Sequence, residues 1–463
     1  MKFKKRDKGK NLKRWLLIII AVAVIVPFVY VCFTKLEGKP PVVELTFASE
    51  IVPSEFKIRG HVEDSENGIR QLRVSVLQNG KDIVLQDETF SSAGLTGEGT
   101  VRHSPISLDI NARKQGFSDG PATLKILASD YSWRNWWKGN QAYLEKEIMF
   151  DTRPPAISVL SSQHNVTPGG SGLVIYKLSE PCPESGVSVG DDFFSGYSGY
   201  FTEKDIYLAF FAVPVDYEKK DNMLVKAVDP AGNEATSGFY HYVRGKSFVT
   251  DTINISENFL TMKLPEFYSV DGFPADASPA DQFVFINTEL RAQNNETILA
   301  NGKHTKNKIF WNDAFGRMPN SARRANFGDR RIYKFQDEVI SHAIHMGIDL
   351  ASVKHAPVPS ANRGRIAFTG YVGIYGNLVC VDHGCGLMSI YAHLSSVSAK
   401  AGDSVEKGDV IGYTGITGLA GGDHLHYGMF VGHMFVNPVE WWDASWINNN
   451  ITTKIASVQA MTP

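Results

Sequence analysis

The stretch GGDHLHYGMF, residues 421–430, decides how the C-terminal part of the chain is interpreted, because it sets two histidines one residue apart between glycines and an apolar run. The apolar run predicts a strand, and residues i and i+2 of a strand project to the same face. His424 and His426 are therefore expected to reach one site. Two surface histidines on a strand are at least as common as a metal pair, so this interpretation depends on further ligands.

Further candidate ligands lie upstream in HMGIDL, residues 345–350. His345 and Asp349 are separated by three residues, one of which is Gly347, and glycine permits backbone conformations that other residues avoid. Imidazole nitrogen and carboxylate oxygen are both good zinc ligands, and a catalytic zinc site needs three protein ligands with a fourth position open to water. His345, Asp349 and one of the downstream histidines would supply that number. His393 in IYAHLS is a further candidate for acid–base chemistry.

Four blocks around these residues resemble the lysostaphin/LytM-type zinc endopeptidases of peptidoglycan in order and spacing. The blocks are HMGIDL, YGNLVCVDHGCGLMSIYAHLS, AGDSVEKGDVIGYTGITGLAGGDHLHYGM and VNPVEWW. The resemblance implies an antiparallel β-sheet peptidase domain over residues 303–446 that holds Zn²⁺. Because a helix from Ser278 and its flanking loops are expected to separate this domain from the preceding sandwiches, the fragment is predicted to fold and bind zinc by itself. The ligands that the resemblance implies are His345, Asp349 and His426, and the two catalytic histidines that do not bind the metal are His393 and His424.

The reaction that the resemblance implies is hydrolysis of the peptide cross-links of peptidoglycan during cell-wall remodelling. One of His393 and His424 would orient or deprotonate the attacking water, and the other would stabilise the oxyanion. The sequence leaves open which does which, and also which cross-link is cut. Two departures from the family pattern, Gly428 and the run LAGGDHLH, remove no ligand and affect only the expected shape of the groove.

A second hypothesis is a catalytically silent lysostaphin-type domain that binds and activates another cell-wall hydrolase. Regulators of that kind typically lack one or more ligands, whereas the five implied site residues are all present here. The sequence therefore favours an enzyme.

Other residues near the blocks are interpreted as structural. Asp382 and His383 suit a hairpin turn. Asn326 and the neighbouring arginines in SARRANFGDRRIY either line the cleft and meet acidic peptidoglycan stems or form a solvated basic turn. Cys380 and Cys385 are expected to be free thiols. Three histidines are left out of the site as surface residues: His342, His355 and His433.

A basic segment, residues 1–14, precedes the apolar run WLLIIIAVAVIVPFVYVCF at residues 15–33. As a helix this run would span roughly 28 Å at about 1.5 Å per residue, close to the thickness of a bilayer core. A cleaved signal peptide is the alternative, but the run is long for one and no small-x-small site follows. Val31 before Cys32 gives little support to lipoprotein processing. The positive flank predicts a single-pass inner-membrane anchor with the C-terminal domains in the periplasm.

The remainder of the chain predicts a mainly β protein. Pro-Pro pairs followed by alternating strands open two tandem sandwiches, residues 39–151 and 152–244, and DPAGN in the second resembles the closing hairpin of bacterial immunoglobulin-like domains. These Ig-like units are expected to serve as spacers or to contact cell-wall machinery. Residues 245–302 are expected to be a linker with a helix capped by Ser278, and residues 447–463 a polar tail. A net charge of -2 makes nucleic acid an unlikely partner.

Overall fold

The computed structural model describes residues 8–46, 49–94, 97–218 and 222–461, so half of the basic segment and the last two residues of the expected tail lie outside the described residues. The chain is mainly β, as predicted. It divides into two compact units, one of residues 1–154 with 230–233 and the other of residues 155–229 with 234–463.

The first helix, α1 (Lys8–Lys35), contains the predicted apolar span. Its stretch Leu12–Lys35 is long and apolar enough to cross a membrane, and its large apolar side chains are exposed. A helix with these properties suits either a membrane anchor or a signal sequence.

The first unit contains a sandwich of a three-stranded sheet, in the order β1-β3-β8, and a five-stranded sheet, in the order β2-β10-β9-β4-β5. Its strands are β1 (Val42–Thr46), β2 (Ile51–Val52), β3 (Glu55–Glu63), β4 (Ile69–Gln78), β5 (Lys81–Thr89), β6 (Ser92–Ala93), β7 (Glu98–Gly99), β8 (His103–Asn111), β9 (Gly120–Asp130) and β10 (Gln141–Phe150). Two single turns, α2 (Ala112–Gln115) and α3 (Arg134–Trp137), connect strands. Alternate residues of both sheets, such as Ile58 and Leu124, are fully buried and form one core.

The second unit begins with a sandwich of two four-stranded sheets, in the orders β11-β13-β17-β16 and β15-β14-β18-β19, with a parallel pair of β12 and β20. The strands are β11 (Ile157–Val159), β12 (His164–Val166), β13 (Ser171–Leu178), β14 (Glu184–Val189), β15 (Asp192–Ser195), β16 (Tyr197–Ser198), β17 (Ile206–Ala212), β18 (Met223–Val228), β19 (Glu234–Gly238) and β20 (His241–Val243). Pro-Pro pairs precede β1 and β11, where the sequence predicted that the strands begin. The immunoglobulin-like assignment of both sandwiches stays a prediction.

A strand and a run of helices follow. They are β21 (Thr250–Ile255), α4 (Glu257–Lys263), a 3-10 segment (Leu264–Phe267), α5 (Pro279–Phe285), a π segment (Ile286–Leu290), α6 (Arg291–Leu299) and a second 3-10 segment (Ala300–His304). The predicted cap is confirmed, because Ser278 Oγ accepts a hydrogen bond from the backbone N–H of Asp281 at 3.2 Å.

The C-terminal part is built on an eight-stranded sheet in the order β22-β25-β33-β29-β28-β27-β31, with β34 beside β33. Its elements are β22 (Ala322–Ala325), β23 (Arg330–Phe335), β24 (Glu338–Ile344), β25 (Ile348–Ala351), β26 (Pro357–Pro359), β27 (Gly364–Val372), β28 (Gly376–Gly384), β29 (Leu387–Leu394), β30 (Ser396–Val397), β31 (Ser404–Val405), β32 (Val410–Tyr413), β33 (Leu425–Val431), β34 (Met434–Val436), α7 (Pro438–Trp442), α8 (Ala444–Ile447), a π segment (Asn448–Thr452) and α9 (Thr453–Met461). Smaller sheets have the orders β21-β23-β24 and β26-β32-β30.

Residues 245–302 differ from the expected linker. Strand β21 pairs in parallel with β23, from Thr250 opposite Arg330 to Ile255 opposite Phe335. The helices bury Phe283 in the same core as the eight-stranded sheet, together with residues of the π segment. The segment is therefore part of the second unit's fold, since it completes a sheet and contributes apolar side chains.

Residues 447–461 differ from the expected polar tail, because they are helical. The apolar residues of this segment recur at helical spacing and are buried: Ile447, Ile451, Ile455 and Val458. Lys454 Nζ donates a hydrogen bond to the backbone carbonyl of Leu173 at 3.3 Å, which fastens the helix to β13. The segment was predicted to be a polar tail because it contains many asparagines and threonines. Its apolar residues nevertheless lie on one face of an amphipathic helix.

Candidate functional site

A cavity of about 390 Å³ lies beside β25 and β33 and is lined by the five residues that the sequence singled out. Those five are His345, Asp349, His393, His424 and His426. The sheet register brings them together. Asp349 of β25 lies opposite His426 of β33, and His426 lies opposite Ala392 of β29 on its other side, next to His393. Residues directly opposite on neighbouring strands point to the same face.

Three of these side chains converge on one point. His345 Nε2 lies 3.0 Å from Asp349 Oδ1 and 3.1 Å from His426 Nδ1. His426 Nδ1 in turn lies 2.9 Å from Asp349 Oδ1. Both histidines are buried, and the Asp349 side chain is 14% exposed. Two nitrogens and one oxygen therefore form a compact triangle at the floor of the cavity.

The triangle fits a metal ion. His345 Nδ1 lies 2.9 Å from the carbonyl oxygen of Asn326, which can only accept, so Nδ1 carries the proton and the lone pair of Nε2 points at Asp349 and His426. Without a cation, acceptor atoms would face one another here. The donor atoms of a tetrahedral site with bonds of about 2.0–2.2 Å lie roughly 3.3 Å apart, and nitrogen and carboxylate oxygen are zinc ligands. His345, Asp349 and His426 thus suit a divalent metal such as zinc.

The second carboxylate oxygen of Asp349 is held by an arginine. Arg331 Nη2 donates to Asp349 Oδ2 at 3.0 Å, and both side chains are largely buried. Burial alone would raise the pKa of Asp349, but interactions with the imidazoles of His345, His424 and His426 hold that pKa well below its usual range. Asp349 is therefore an ionised carboxylate with one oxygen at the triangle and the other on Arg331.

His424 and His393 lie beside the triangle without joining it. His424 Nε2 is 3.5 Å from Asp349 Oδ1, and the rings of His393 and His424 lie 4.8 Å apart. Each ring is oriented by a carbonyl, because His424 Nδ1 lies 2.7 Å from the oxygen of Gly422 and His393 Nδ1 lies 2.9 Å from that of Thr417. Since a carbonyl only accepts, both Nδ1 atoms carry protons. The Nε2 of His393 can then exchange a proton or a hydrogen bond with a substrate, and that of His424 can do so from its position beside Asp349 Oδ1.

Of the remaining sequence candidates, only Arg331 is among the residues that line the cavity. Asn326 contributes its backbone carbonyl to His345, and of the arginines near it Arg331 lines the cavity. Asp382 accepts hydrogen bonds from the backbone N–H groups of Lys306 and Gly384, which is a structural role. His433 bonds Asp192 at 2.9 Å. The four cysteines are free, as expected for Cys380 and Cys385.

One wall of the cavity was not predicted from the sequence. It comes from residues 253–295, and its members are Ile253, Asn254, Ile255, Ser256, Phe259, Phe283, Arg291 and Asn295. Tyr375 and Leu419 also line the cavity. The ring of Tyr375 packs 5.5 Å from that of His426, and its hydroxyl donates to Asn295 Oδ1 at 2.7 Å. No motif in residues 253–295 signals this role, because the segment meets the site through contacts between residues distant in sequence, such as the pairing of β21 with β23 and the bond from Tyr375 to Asn295.

Comparison with known proteins points to one family for the C-terminal part. Residues 343–438 match the model of peptidase family M23. The chain is 40% identical over 107 residues to the DD-carboxypeptidase/endopeptidase Mpg of Neisseria meningitidis serogroup B, over 23% of this chain and 25% of that protein. It is 35% identical over 130 residues to the peptidoglycan DD-endopeptidase ShyA of Vibrio cholerae, over 27% of this chain and 30% of that protein. The chain thus spans less than a third of these relatives.

Solved structures also match about a quarter of the chain. The catalytic domain of lysostaphin from Staphylococcus simulans is 26% identical, with 27% of this chain and 92% of that chain covered and a TM-score of 0.23. The catalytic domain of the prophage-encoded M23 protein EnpA from Enterococcus faecalis, solved as a point mutant, is 27% identical, with 27% and 95% covered and a TM-score of 0.24.

Proposed function

We propose that this chain, whose residues 343–438 form a peptidase M23 domain, is a membrane-anchored zinc endopeptidase that hydrolyses peptide cross-links of peptidoglycan. The observation that carries the proposal is the triangle of His345 Nε2, Asp349 Oδ1 and His426 Nδ1, with sides of 2.9–3.1 Å, at the floor of a cavity. Names of relatives give the substrate class. ShyA is called a peptidoglycan DD-endopeptidase, and Mpg a DD-carboxypeptidase/endopeptidase. We therefore extend the proposal to an amide bond between two D-residues.

His345, Asp349 and His426 would hold the zinc. Zinc bound by three protein ligands activates water and polarises the scissile carbonyl. Around it, Arg331 keeps one Asp349 oxygen turned to the triangle, and the Asn326 carbonyl keeps the lone pair of His345 Nε2 turned the same way.

His393 and His424 would handle the protons and the developing negative charge. Each ring is oriented by the bond from its Nδ1–H to a backbone carbonyl, which turns its Nε2 away from that carbonyl. One Nε2 can accept a proton from the attacking water and pass it to the leaving amine, while the other ring, in its imidazolium form, can donate an Nε2–H hydrogen bond to the oxyanion. Both rings line the cavity.

The proposed location follows from α1. A 24-residue apolar stretch, Leu12–Lys35, with exposed side chains suits a single inner-membrane span. The peptidase would then act in the periplasm, where peptidoglycan lies, and the sandwiches would set its distance from the membrane. A silent domain that only activates another hydrolase is the less favoured function, since all five polar side chains that catalysis requires line one cavity.

Digestion of defined muropeptides tests the proposal. The full chain in detergent micelles is loaded with zinc and incubated with cross-linked muropeptide dimers, and the products are identified by mass spectrometry. We expect monomers cut at the D,D-amide, loss of cleavage after chelation, and recovery when zinc is restored. A protein that retains zinc and releases no monomers would contradict the enzyme proposal and favour the activator.

A further inference from the structure

Arg291 brings a positive charge to the cavity from outside the matched domain. It is the first residue of α6, beyond residues 343–438, and it lines the same cavity as His345 and His426. Its Nη2 donates to Asn287 Oδ1 at 2.6 Å, and its Nε donates to the Asn287 carbonyl at 3.2 Å. These bonds fix the guanidinium on one side. Within the described ranges, no partner atom is bonded to Nη1.

The charges that line the cavity do not balance. Its charged residues are Arg291, Arg331 and Asp349. Arg331 is neutralised by Asp349 at 3.0 Å, whereas no carboxylate among the described residues lies within ion-pair distance of Arg291. A half-buried cation without a counter-charge is costly unless a ligand supplies one. The lining residues thus leave one unpaired positive charge in a mainly apolar pocket.

The position of Arg291 is tied to the site through Tyr375. The ring of Tyr375 packs 5.5 Å from His426, and its hydroxyl is bound by Asn295, one helical turn after Arg291. The backbone N–H of Ile374 donates to Asn294 Oδ1 at 2.8 Å, which holds the loop before β28 against α6. Asn294, Asn295 and Tyr375 thus connect α6, the helix that begins with Arg291, to a triangle residue.

A carboxylate of the substrate could provide the negative charge that would pair with Arg291. When a D,D-amide joins a terminal residue or the side chain of a branched residue, the residue that leaves keeps a free carboxylate on the carbon next to the scissile nitrogen. We propose that Arg291 binds this α-carboxylate of the leaving residue, so that the enzyme selects D,D-amides followed by a free acid. The proposal rests on the endopeptidase function proposed above. A guanidinium suits it because two parallel N–H groups can bind the two carboxylate oxygens.

The test compares two substrates on two variants. One peptide carries an α-carboxylate on the leaving residue, and its partner carries an α-carboxamide and is otherwise identical. The full chain is assayed as wild type, Arg291→Gln, which keeps a donor for Asn287, and Arg291→Lys, which keeps the charge. We expect Arg291→Gln to lower kcat/KM about 10–100-fold for the acid and less than about 3-fold for the amide. Arg291→Lys should recover part of the loss on the acid.

Three other outcomes would contradict either the proposed role of Arg291 or the endopeptidase function. Equal losses on both peptides, with unchanged zinc content, would assign Arg291 a structural role and overturn the proposal. Unchanged kinetics on both would also overturn it. A wild type that cuts neither peptide nor muropeptide dimers would refute the endopeptidase function instead. Arg365→Gln is the matched control, because Arg365 is exposed on β27 and outside the cavity lining, and it should leave the ratio of the two kcat/KM values unchanged.

Discussion

Gly347, between two candidate ligands, is required for space rather than for an unusual backbone conformation. The sequence suggested conformational freedom, but Gly347 does not adopt a positive φ. A Cβ built on it would lie 2.5 Å from His426 Nε2 and 2.8 Å from the carbonyl oxygen of Tyr427. The His426 ring thus lies against a bare backbone, which leaves its Nδ1 turned to Asp349.

Replacing Gly347 with alanine should therefore displace His426. The backbone of Tyr427 cannot yield easily within β33, so the imidazole has to move and the triangle opens. We expect zinc affinity to fall about 10–100-fold, measured by competition with a chromophoric chelator. Gly422→Ala is the control, since a Cβ there meets nothing within 4 Å, and it should retain wild-type affinity. Full affinity in Gly347→Ala would show that the ring does not depend on this space.

The identities of the five polar site residues could be predicted from the sequence because ligands and catalytic histidines lie in short blocks with fixed spacing. The structure brings these residues together, while their roles stay predictions. Arg331 and Tyr375 could not be singled out, because their contacts with Asp349 and His426 depend on packing between distant segments. The backbone conformation of His393 could not be predicted from the sequence either. Its φ of 62° is rare for a residue other than glycine, and it accompanies the bond from Nδ1 to Thr417.

At the scale of elements, the 3-10 segment Leu264–Phe267 holds the loop that orients His393. Glu266 accepts hydrogen bonds from Lys263 Nζ at 2.7 Å, the Tyr371 hydroxyl at 2.9 Å and the backbone N–H of Gly418 at 2.8 Å. Gly418 follows Thr417, whose carbonyl accepts from His393. This segment thus connects the unpredicted wall to a catalytic candidate.

Removal of the Glu266 carboxylate should loosen this loop. In Glu266→Ala, the buried Lys263 loses its carboxylate and Gly418 loses its acceptor, so we expect unfolding free energy to fall by about 1–3 kcal/mol. Turnover should also fall while zinc content stays at the wild-type value, because the triangle is untouched. Thermal melts, zinc analysis and muropeptide cleavage measure the three effects. Glu289→Ala, at an exposed position in the same helical run, should change none of them. Loss of zinc would show that the segment supports the ligands instead.

The start of the helical run between Ser278 and His304 could be predicted from the sequence, but the way in which the run ends could not. Ser278, Pro279 and Asp281 form a local capping pattern, which depends only on neighbours in sequence. At the other end, α6 stops at Leu299 and the chain continues in a 3-10 turn through His304. Gly302 there allows a close approach, since a Cβ would lie 1.9 Å from the carbonyl oxygen of Gly432. Such a contact between distant segments leaves no local pattern.

At the scale of the whole molecule, the second sandwich and the peptidase sheet share one core inside the second unit. Trp441 of α7 packs 5.9 Å from Phe210 of β17, and its Nε1 donates to Ser171 Oγ at 3.1 Å. Glu440 accepts a hydrogen bond from the backbone N–H of Ser171 at 2.9 Å. The tandem order of domains along the sequence gave no sign of this shared core, because apolar periodicity does not report which sheets pack together.

The shared core argues against the expectation that residues 303–446 fold alone. That fragment lacks β17, β21 and α9, so Trp441 and the β23 edge would be exposed to solvent. We expect it to aggregate or to melt well below a fragment of residues 155–461, which keeps the whole core and should bind zinc. Scanning calorimetry and zinc analysis of both fragments decide between them. A soluble 303–446 fragment with the same melting temperature would restore the boundary predicted from the sequence.

We propose that His426 binds the metal while its neighbour His424 takes part in catalysis. The zinc content of two single variants tests this division of roles most directly. His426→Ala leaves two ligands, too few for a stable catalytic site, and should lose most of its zinc. His424→Ala keeps the triangle of His345, Asp349 and His426, and should keep about one zinc per chain while muropeptide turnover falls about 10²–10⁴-fold. Zinc retained in His426→Ala and lost from His424→Ala would contradict the assignment.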